Sequence, residues 1–156
     1  MKKDRGFTIV ELMITLLVAS IIMAFAMPSF LRMVQDFQVS SQANILLGSL
    51  QMARSEAVKR GMNVNIAAAS GTDFATGWCI YTSTSCSGNN IIRQHEAAGS
   101  ITTSPAAALT FSSTGQLGAS YTFEITPQNC KTGDMRKKVL TMTAVGRGNV
   151  ATTACS

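Results

Sequence analysis

GFTIVELMITLLVASIIMAFAMPSFL, residues 6–31, is the stretch on which the reading of the chain turns. Leu12 to Leu31 are twenty consecutive residues without a charge, and a helix of that length spans about 30 Å, the hydrocarbon thickness of a bilayer. Length and composition together predict a membrane-spanning helix. Lys2, Lys3 and Arg5 precede it, and the bias of basic residues to the cytoplasmic side puts the N-terminus in the cytoplasm and residues 32 onward across the membrane. Ala24, Ala26 and Ser29 could supply the small-residue cleavage site of a secretory signal peptide. Glu11 argues against that, because a carboxylate inside the apolar run costs about 2.5–3.5 kcal/mol unless it has a partner, and a discarded leader has no use for one.

Beyond Leu31 the apolar run becomes amphipathic. Val39, Ala43, Leu46, Leu50, Ala53 and Ala57 recur at steps of four and three, the period of one helical face, while Gln38, Ser41, Gln42, Ser49 and Lys59 fall on more polar faces. Glu56 can pair with Arg60 one turn later, Lys59 and Arg60 suit the C-terminal end of the helix dipole, and Gly61 supplies the stop. One helix is therefore expected from about Phe7 to Arg60, with kinks at Pro28 and Gly48. It packs on its own head through the Val39–Ala57 stripe.

After Gly61 the period changes to that of strands. Residues 62–69, 76–82, 90–94, 108–112, 120–126 and 136–145 are short β-favouring runs separated by Gly, Ser, Asn and Pro clusters. Tyr121, Phe123 and Ile125 alternate with Thr122, Glu124 and Thr126, and Leu140, Met142 and Ala144 repeat the pattern on a later strand. One or two antiparallel sheets against the helix are expected, with 83–90 and 127–135 as the least constrained loops.

The chain has 156 residues and a formal net charge of +5. Beyond residue 6 it carries 10 basic and 7 acidic residues, or +3, which is only mildly basic. One anchor and about 95 residues of head are enough for a single core, and the chain contains no internal repeat. Four cysteines in an exported domain read as disulfides, since none has zinc-ligand spacing. They permit three pairings, of which sequence proximity favours Cys79 with Cys86. No catalytic constellation can be assembled: His95, beside Glu96, is the one histidine, no Ser, His and Asp set or paired carboxylates share a face, and no Gly-rich loop opens a helix. The sequence reads as a non-enzyme with no cofactor.

Gly6-Phe7-Thr8-Ile9-Val10-Glu11-Leu12 after a short basic leader resembles the prepilin signature of type IV pilins and type II secretion pseudopilins. Ala53-Arg54-Ser55-Glu56-Ala57-Val58-Lys59-Arg60-Gly61 and the later Gly77-Trp78 pair resemble the FimT, FimU and GspH type of minor pilins and pseudopilins. The resemblance implies cleavage between Gly6 and Phe7 by a prepilin peptidase, N-methylation of Phe7, and retention of the helix. It implies that Glu11 faces the N-terminal ammonium of a neighbouring subunit, so that a buried carboxylate gains its partner only in the correct axial register. Pro28 matches the helix-softening proline of the family. Disulfide-closed C-terminal loops of pilins add the pairing of Cys130 with Cys155.

The fold expected is α+β and pilin-like, a long N-terminal helix, transmembrane then amphipathic, packed against an antiparallel β-sheet head. Its expected organisation is a cleaved leader at 1–6, a transmembrane and filament-core helix at 7–31, an amphipathic continuation at 32–61 and a β-rich periplasmic or extracellular head at 62–156. The implied partners are the prepilin peptidase, other major and minor pilins and the inner-membrane assembly platform; the implied location is the inner membrane, then the pilus fibre. Lys131, Arg136, Lys137, Lys138 and Arg147 face Asp134 alone between residues 131 and 147, five basic against one acidic, a local +4. Such a run is usually a solvated face, but the FimT branch resembles DNA-uptake pilins whose basic C-terminal region, with a Gly-Arg-x-Arg motif, contacts double-stranded DNA through its phosphates. Here the motif reads Gly146-Arg147-Gly148-Asn149, without its second arginine. A minor pilin at or near a pilus tip, with or without DNA binding, and a pseudopilin of a type II secretion system are the functions the sequence leaves open.

Overall fold

The computed structural model describes residues 7–96, 101–102 and 108–156, so the expected cleavage site at Gly6 lies outside the described residues. A single helix, α1, runs unbroken from Ile9 to Arg60 and carries Pro28 inside it. The chain divides into two compact units, Met1–Gln35 and Asp36–Ser156.

In the first unit every described residue from Phe7 to Met33 is exposed, on all sides of the helix. Two of its hydroxyls are satisfied within the helix: Thr15 Oγ1 donates to the Leu12 carbonyl at 2.8 Å and Ser20 Oγ to that of Leu17 at 2.7 Å. That is how polar side chains are accommodated in an apolar medium. Pro28 lacks an N–H and so leaves the Ala24 carbonyl without its ladder bond, yet the helix continues through it, as apolar helices tolerate.

In the second unit α1 buries Val39, Ala43, Leu46, Ser49, Leu50, Ala53 and Ala57. The six apolar members are the stripe expected from the 3.6-residue period. Ser49 differs from expectation: it sits on the buried face at 8% exposure, and its Oγ returns a hydrogen bond to the Ile45 carbonyl at 2.9 Å, so the hydroxyl enters the core already satisfied. Alanines at 43, 53 and 57 keep the stripe shallow and let strands approach the helix closely. The helix ends in a Schellman turn, with Met62 N–H to the Ala57 carbonyl, Gly61 N–H to that of Val58, both at 3.3 Å, and Gly61 at φ +64°.

Among the described residues eight strands follow, β1 Val64–Ala68, β2 Gly77–Tyr81, β3 Ile91–Glu96, β4 Ile101–Thr102, β5 Leu109–Phe111, β6 Tyr121–Pro127, β7 Lys137–Met142 and β8 Gly148–Thr153. They form two antiparallel four-stranded sheets, ordered β3-β2-β1-β5 and β4-β6-β7-β8. Alternation sets the inward residues: Ile66 opposite Ile80 in the first sheet and Phe123 opposite Leu140 in the second are all buried. Phe74, in a 3-10 turn before β2, meets Phe123 of β6 edge-on at 5.2 Å and links the two sheets through the core.

The C-terminal region differs most from the sequence reading. The run expected as one strand over 136–145 ends at Met142, and residues 143–147 turn the chain back into β8, which was not expected. Thr143 closes this turn, its N–H donating to the Arg147 carbonyl at 2.9 Å and its Oγ1 accepting from Arg147 N–H at 3.1 Å. Cys79 is bonded to Cys86 and Cys130 to Cys155, one disulfide in each of the two loops read as least constrained.

Leu50, with no exposed surface, sits at the middle of the stripe. Leu50→Ala is expected to cost the head about 2–5 kcal/mol in urea unfolding, against less than about 0.5 kcal/mol for the exposed neighbour Gln51→Ala. Arg60 Nε donates to Glu56 Oε2 at 2.7 Å, and this bond, aided by the charges of Arg60 and Lys59, holds the Glu56 carboxyl below its ordinary value of 4.5. A folded pKa below the unfolded one means that the stabilisation is present above about pH 4.5 and is lost as pH falls through the folded value. Glu56→Gln is therefore expected to give a shallower acid limb below that pH in thermal melts, with no change in slope near neutrality.

Candidate functional site

Two regions carry the sequence-expected site residues. At the start of α1, Phe7 is 72% exposed and Thr8 caps the helix, its Oγ1 accepting from Glu11 N–H at 3.2 Å. Thr8-Ile9-Val10-Glu11 has the Thr-x-x-Glu spacing of a capping box, a signal of the helix start already present in the sequence. The Glu11 carboxylate makes no hydrogen bond or ion pair among the described residues. A negative group in the first helical turn is favoured by the macrodipole, and a carboxylate offers two acceptor oxygens there. Pro28 lies mid-helix with exposed apolar neighbours.

The basic run of the C-terminal region divides. Arg136 Nε donates to Asp36 Oδ1 of α1 at 2.6 Å, with only 14% of its side chain exposed. Lys137 is buried and its Nζ lies 3.3 Å from Glu124 Oε2, across the β6–β7 pair. Lys138 Nζ donates to Thr152 Oγ1 at 2.7 Å. Lys131 and Arg147 are exposed. Adjacent residues of a strand point to opposite faces, so three consecutive cations cannot present one surface. The structure spends two of them on ion pairs inside the head.

Arg147 has company of another kind. It lines an open groove of about 690 Å³ together with Gln51, Arg54, Ser55, Val58 and Lys59 of α1 and with Gly146 and Gly148 of the β7–β8 turn. The helical members fall at 51, 54, 55, 58 and 59, one face of α1 lying beside the buried stripe. Lys59 is held only loosely, 3.9 Å from Glu56 with 78% of its side chain exposed. The groove thus gathers cations from two elements far apart in sequence, and among the described residues no aromatic ring lines it. Chemically it can accept an anion against an apolar floor at Val58.

Arg54, which the sequence reading did not single out, builds one wall. Its Nε donates to the Gly115 carbonyl and its Nη1 to the Gly146 carbonyl, both at 3.0 Å. Both glycines are buried at positive φ, +76° and +77°. A Cβ on Gly146 would stand 2.5 Å from the Gly115 carbonyl oxygen and 2.9 Å from Arg54 Nε, so the close approach requires glycine.

His95 has a structural setting. It stacks on Trp78 with ring centroids 4.7 Å apart and planes inclined by 20°, and Trp78 in turn lies 6.4 Å from Phe74. The Gly77-Trp78 pair is explained by the same region: Gly77 leaves the 3-10 turn at φ +95° so that Trp78 enters β2 pointing into the core, 3% exposed.

This architecture has known counterparts. The family model of the type II transport protein GspH matches residues 42–146, and that of the prokaryotic N-terminal methylation motif matches residues 1–27. A crystal structure of the type IV minor pilin FimU of Pseudomonas aeruginosa is 31% identical, covers 72% of this chain and 87% of that one, and superposes with a TM-score of 0.63. A second crystal form of FimU gives 32% identity, 72% and 91% coverage and 0.61. The minor pseudopilin EpsH from the type 2 secretion system of Vibrio cholerae, at 13% identity, 74% and 97% coverage and 0.55, is alike in fold. No curated protein sequence matches the chain. The unbroken helix with its bare apolar end, the two antiparallel sheets on its buried stripe and these matches together place the chain in the GspH family of minor pilins and pseudopilins.

Proposed function

We propose that the chain is a minor pilin of a type IV pilus, held in the inner membrane by α1 with its head in the periplasm, then incorporated at or near the pilus tip, where it supports assembly. The observation that carries this reading is the exposure of every described residue from Phe7 to Met33 around the whole circumference of α1. An apolar surface of that extent needs a lipid phase first and sister helices later. Glu11, its one charge within that surface up to Arg32, supplies a register: the carboxylate is costly in an apolar bundle until an N-terminal ammonium of a neighbour meets it. The higher identity to FimU than to EpsH, 31% against 13%, supports a pilus over a type II secretion system.

A second role is favoured by the groove. Arg147 and Lys59 share it, and Lys131 is exposed elsewhere on the head, so the head carries cations able to contact DNA phosphates without sequence preference. Such binding weakens steeply with salt, by roughly one phosphate contact for each cation removed.

The processing and register assignments are tested in the producing cell. Gly6→Val is expected to leave an unprocessed precursor in the membrane; mass spectrometry that still finds chains beginning at Phe7 overturns the cleavage assignment. Glu11→Val is expected to remain inserted but to fall at least tenfold in sheared pili relative to wild type. Equal recovery removes the register role. Loss of secretion with piliation intact, on deletion of the gene, moves the protein to the type II secretion alternative.

A further inference from the structure

We propose that Arg54 is a positioning residue: its guanidinium clasps two glycine turns to α1 and thereby sets Arg147 beside Lys59 in one phosphate-contacting groove. The ligand rests on the DNA-phosphate reading above; the clasp rests on geometry alone.

The argument begins with what holds the β7–β8 turn. Its internal bonds, Thr143 to Arg147 and Gly146 N–H to the Thr143 carbonyl at 2.8 Å, close the turn on itself but do not attach it to the helix. The polar attachment at its tip comes from Arg54 Nη1 to the Gly146 carbonyl, one residue before Arg147, while Gly148 at its end lies against the Leu47 side chain. The second arm, Nε to the Gly115 carbonyl, ties in the turn after β5, which is itself joined to the C-terminal region by Leu117 N–H to the Ala144 carbonyl at 2.8 Å. One planar fork therefore closes a ring of helix, Gly115 turn and Gly146 turn. Arg is suited to this because its donors are fixed in a plane; a lysine at 54 keeps the charge but offers one mobile point donor in place of two directed ones. Gly146 completes the fit, since any Cβ there strikes both the Gly115 carbonyl and the guanidinium.

Lys59 follows five residues after Arg54 and lines the same groove, so the distance between the two cationic lips depends on how the Gly146 turn is docked to α1. Two cations held at a fixed separation contact successive phosphates together; two on independent elements contact them one at a time.

The test uses the full mature chain in nonionic detergent micelles. Amide hydrogen exchange is compared for wild type, Arg54→Lys and Gly146→Ala, and binding of a fluorescent DNA duplex is followed by anisotropy across a salt series. With the clasp in place, both variants exchange at least tenfold faster over 115–117 and 143–148 while the β1–β2 amides are unchanged, and both lose DNA affinity with a salt slope lower by about one contact. Lys59→Ala and Arg147→Ala lower the slope in wild type but are no longer coupled to each other in the Arg54→Lys background, whereas Lys131→Ala, outside the groove, acts additively in both. Unchanged exchange at 143–148 in both variants overturns the clasp. Faster exchange with wild-type DNA affinity overturns the positioning of Arg147 while leaving the phosphate reading standing, and faster exchange with no DNA binding by any protein, wild type included, supports the clasp and overturns the phosphate ligand.

Discussion

Burial of the Val39–Ala57 stripe is the interaction on which the head depends, because both sheets and the connecting aromatic residues pack around it in one core. A helix alone cannot hide such a stripe and a four-stranded sheet alone has one face too many, so each supplies the surface the other needs. The stripe begins at Val39, and from Phe7 to Met33 the same helix has no buried residue at all. One continuous backbone thus serves two solvents. Residues whose apolar face is narrow commit to the head; those that are apolar all round are left for lipid or for other helices. Glu11 stands at the far end of that bare surface, where a carboxylate that would be an error in a folded core is costly until a partner meets it.

The strands alone do not fix the far side of the head, where loops are tied by groups distant in sequence. Cys130–Cys155 is reinforced by Gly133 N–H to the Cys155 carbonyl at 3.0 Å and Cys155 N–H to the Asp134 carbonyl at 2.9 Å, which makes the chain end part of the 130–134 turn. Asp36 and Arg136 join that region to α1 across 100 residues of sequence. Arg54 does the same for the Gly115 and Gly146 turns, across 61 and 92 residues. Hydrogen bonds from a charged donor to buried carbonyls are among the stronger ones, about 1.5–3 kcal/mol each. They stabilise a region in which Gly, Ser and Thr offer little apolar area to bury.

What could be read in the sequence was what is local. The stripe, its end at Gly61, and strands such as β1, β2 and β6 follow from periods of 3.6 and 2 within windows of about ten residues. The β7–β8 hairpin was missed because Leu140, Met142 and Ala144 carry the strand alternation past Met142 and mask a five-residue turn whose signals are Gly146 and Gly148. β4, two residues long, has too little pattern to detect. Ser49 was placed outside by its hydroxyl, though a serine that bonds its own helix enters a core at little cost. Arg54 could not be found by pattern, because its partners are main-chain carbonyls, which leave no mark in the sequence beyond two glycines. The Thr8 N-cap was legible in the Thr-x-x-Glu spacing.

The basic run shows why charge counted along the chain overstates charge on a surface. Of five cations between residues 131 and 147, Arg136 and Lys137 face Asp36 and Glu124, and Lys138 is bonded to Thr152, while Lys131 and Arg147 are exposed. Asn149, where the Gly-Arg-x-Arg motif has its second arginine, lies exposed on β8 opposite Thr141. Lys59, read only as a complement to the helix dipole, contributes more to the Arg147 groove than the neighbours of the run do. A surface with two or three available cations supports about that many phosphate contacts, and a slope of roughly 0.9 per contact describes weak, salt-sensitive binding. Weak contacts become effective when several act on one polymer, since the second and later ones are intramolecular. A hold on DNA through this head, as proposed, therefore depends on several copies acting together, and the bare apolar surface of α1 is where such copies would meet.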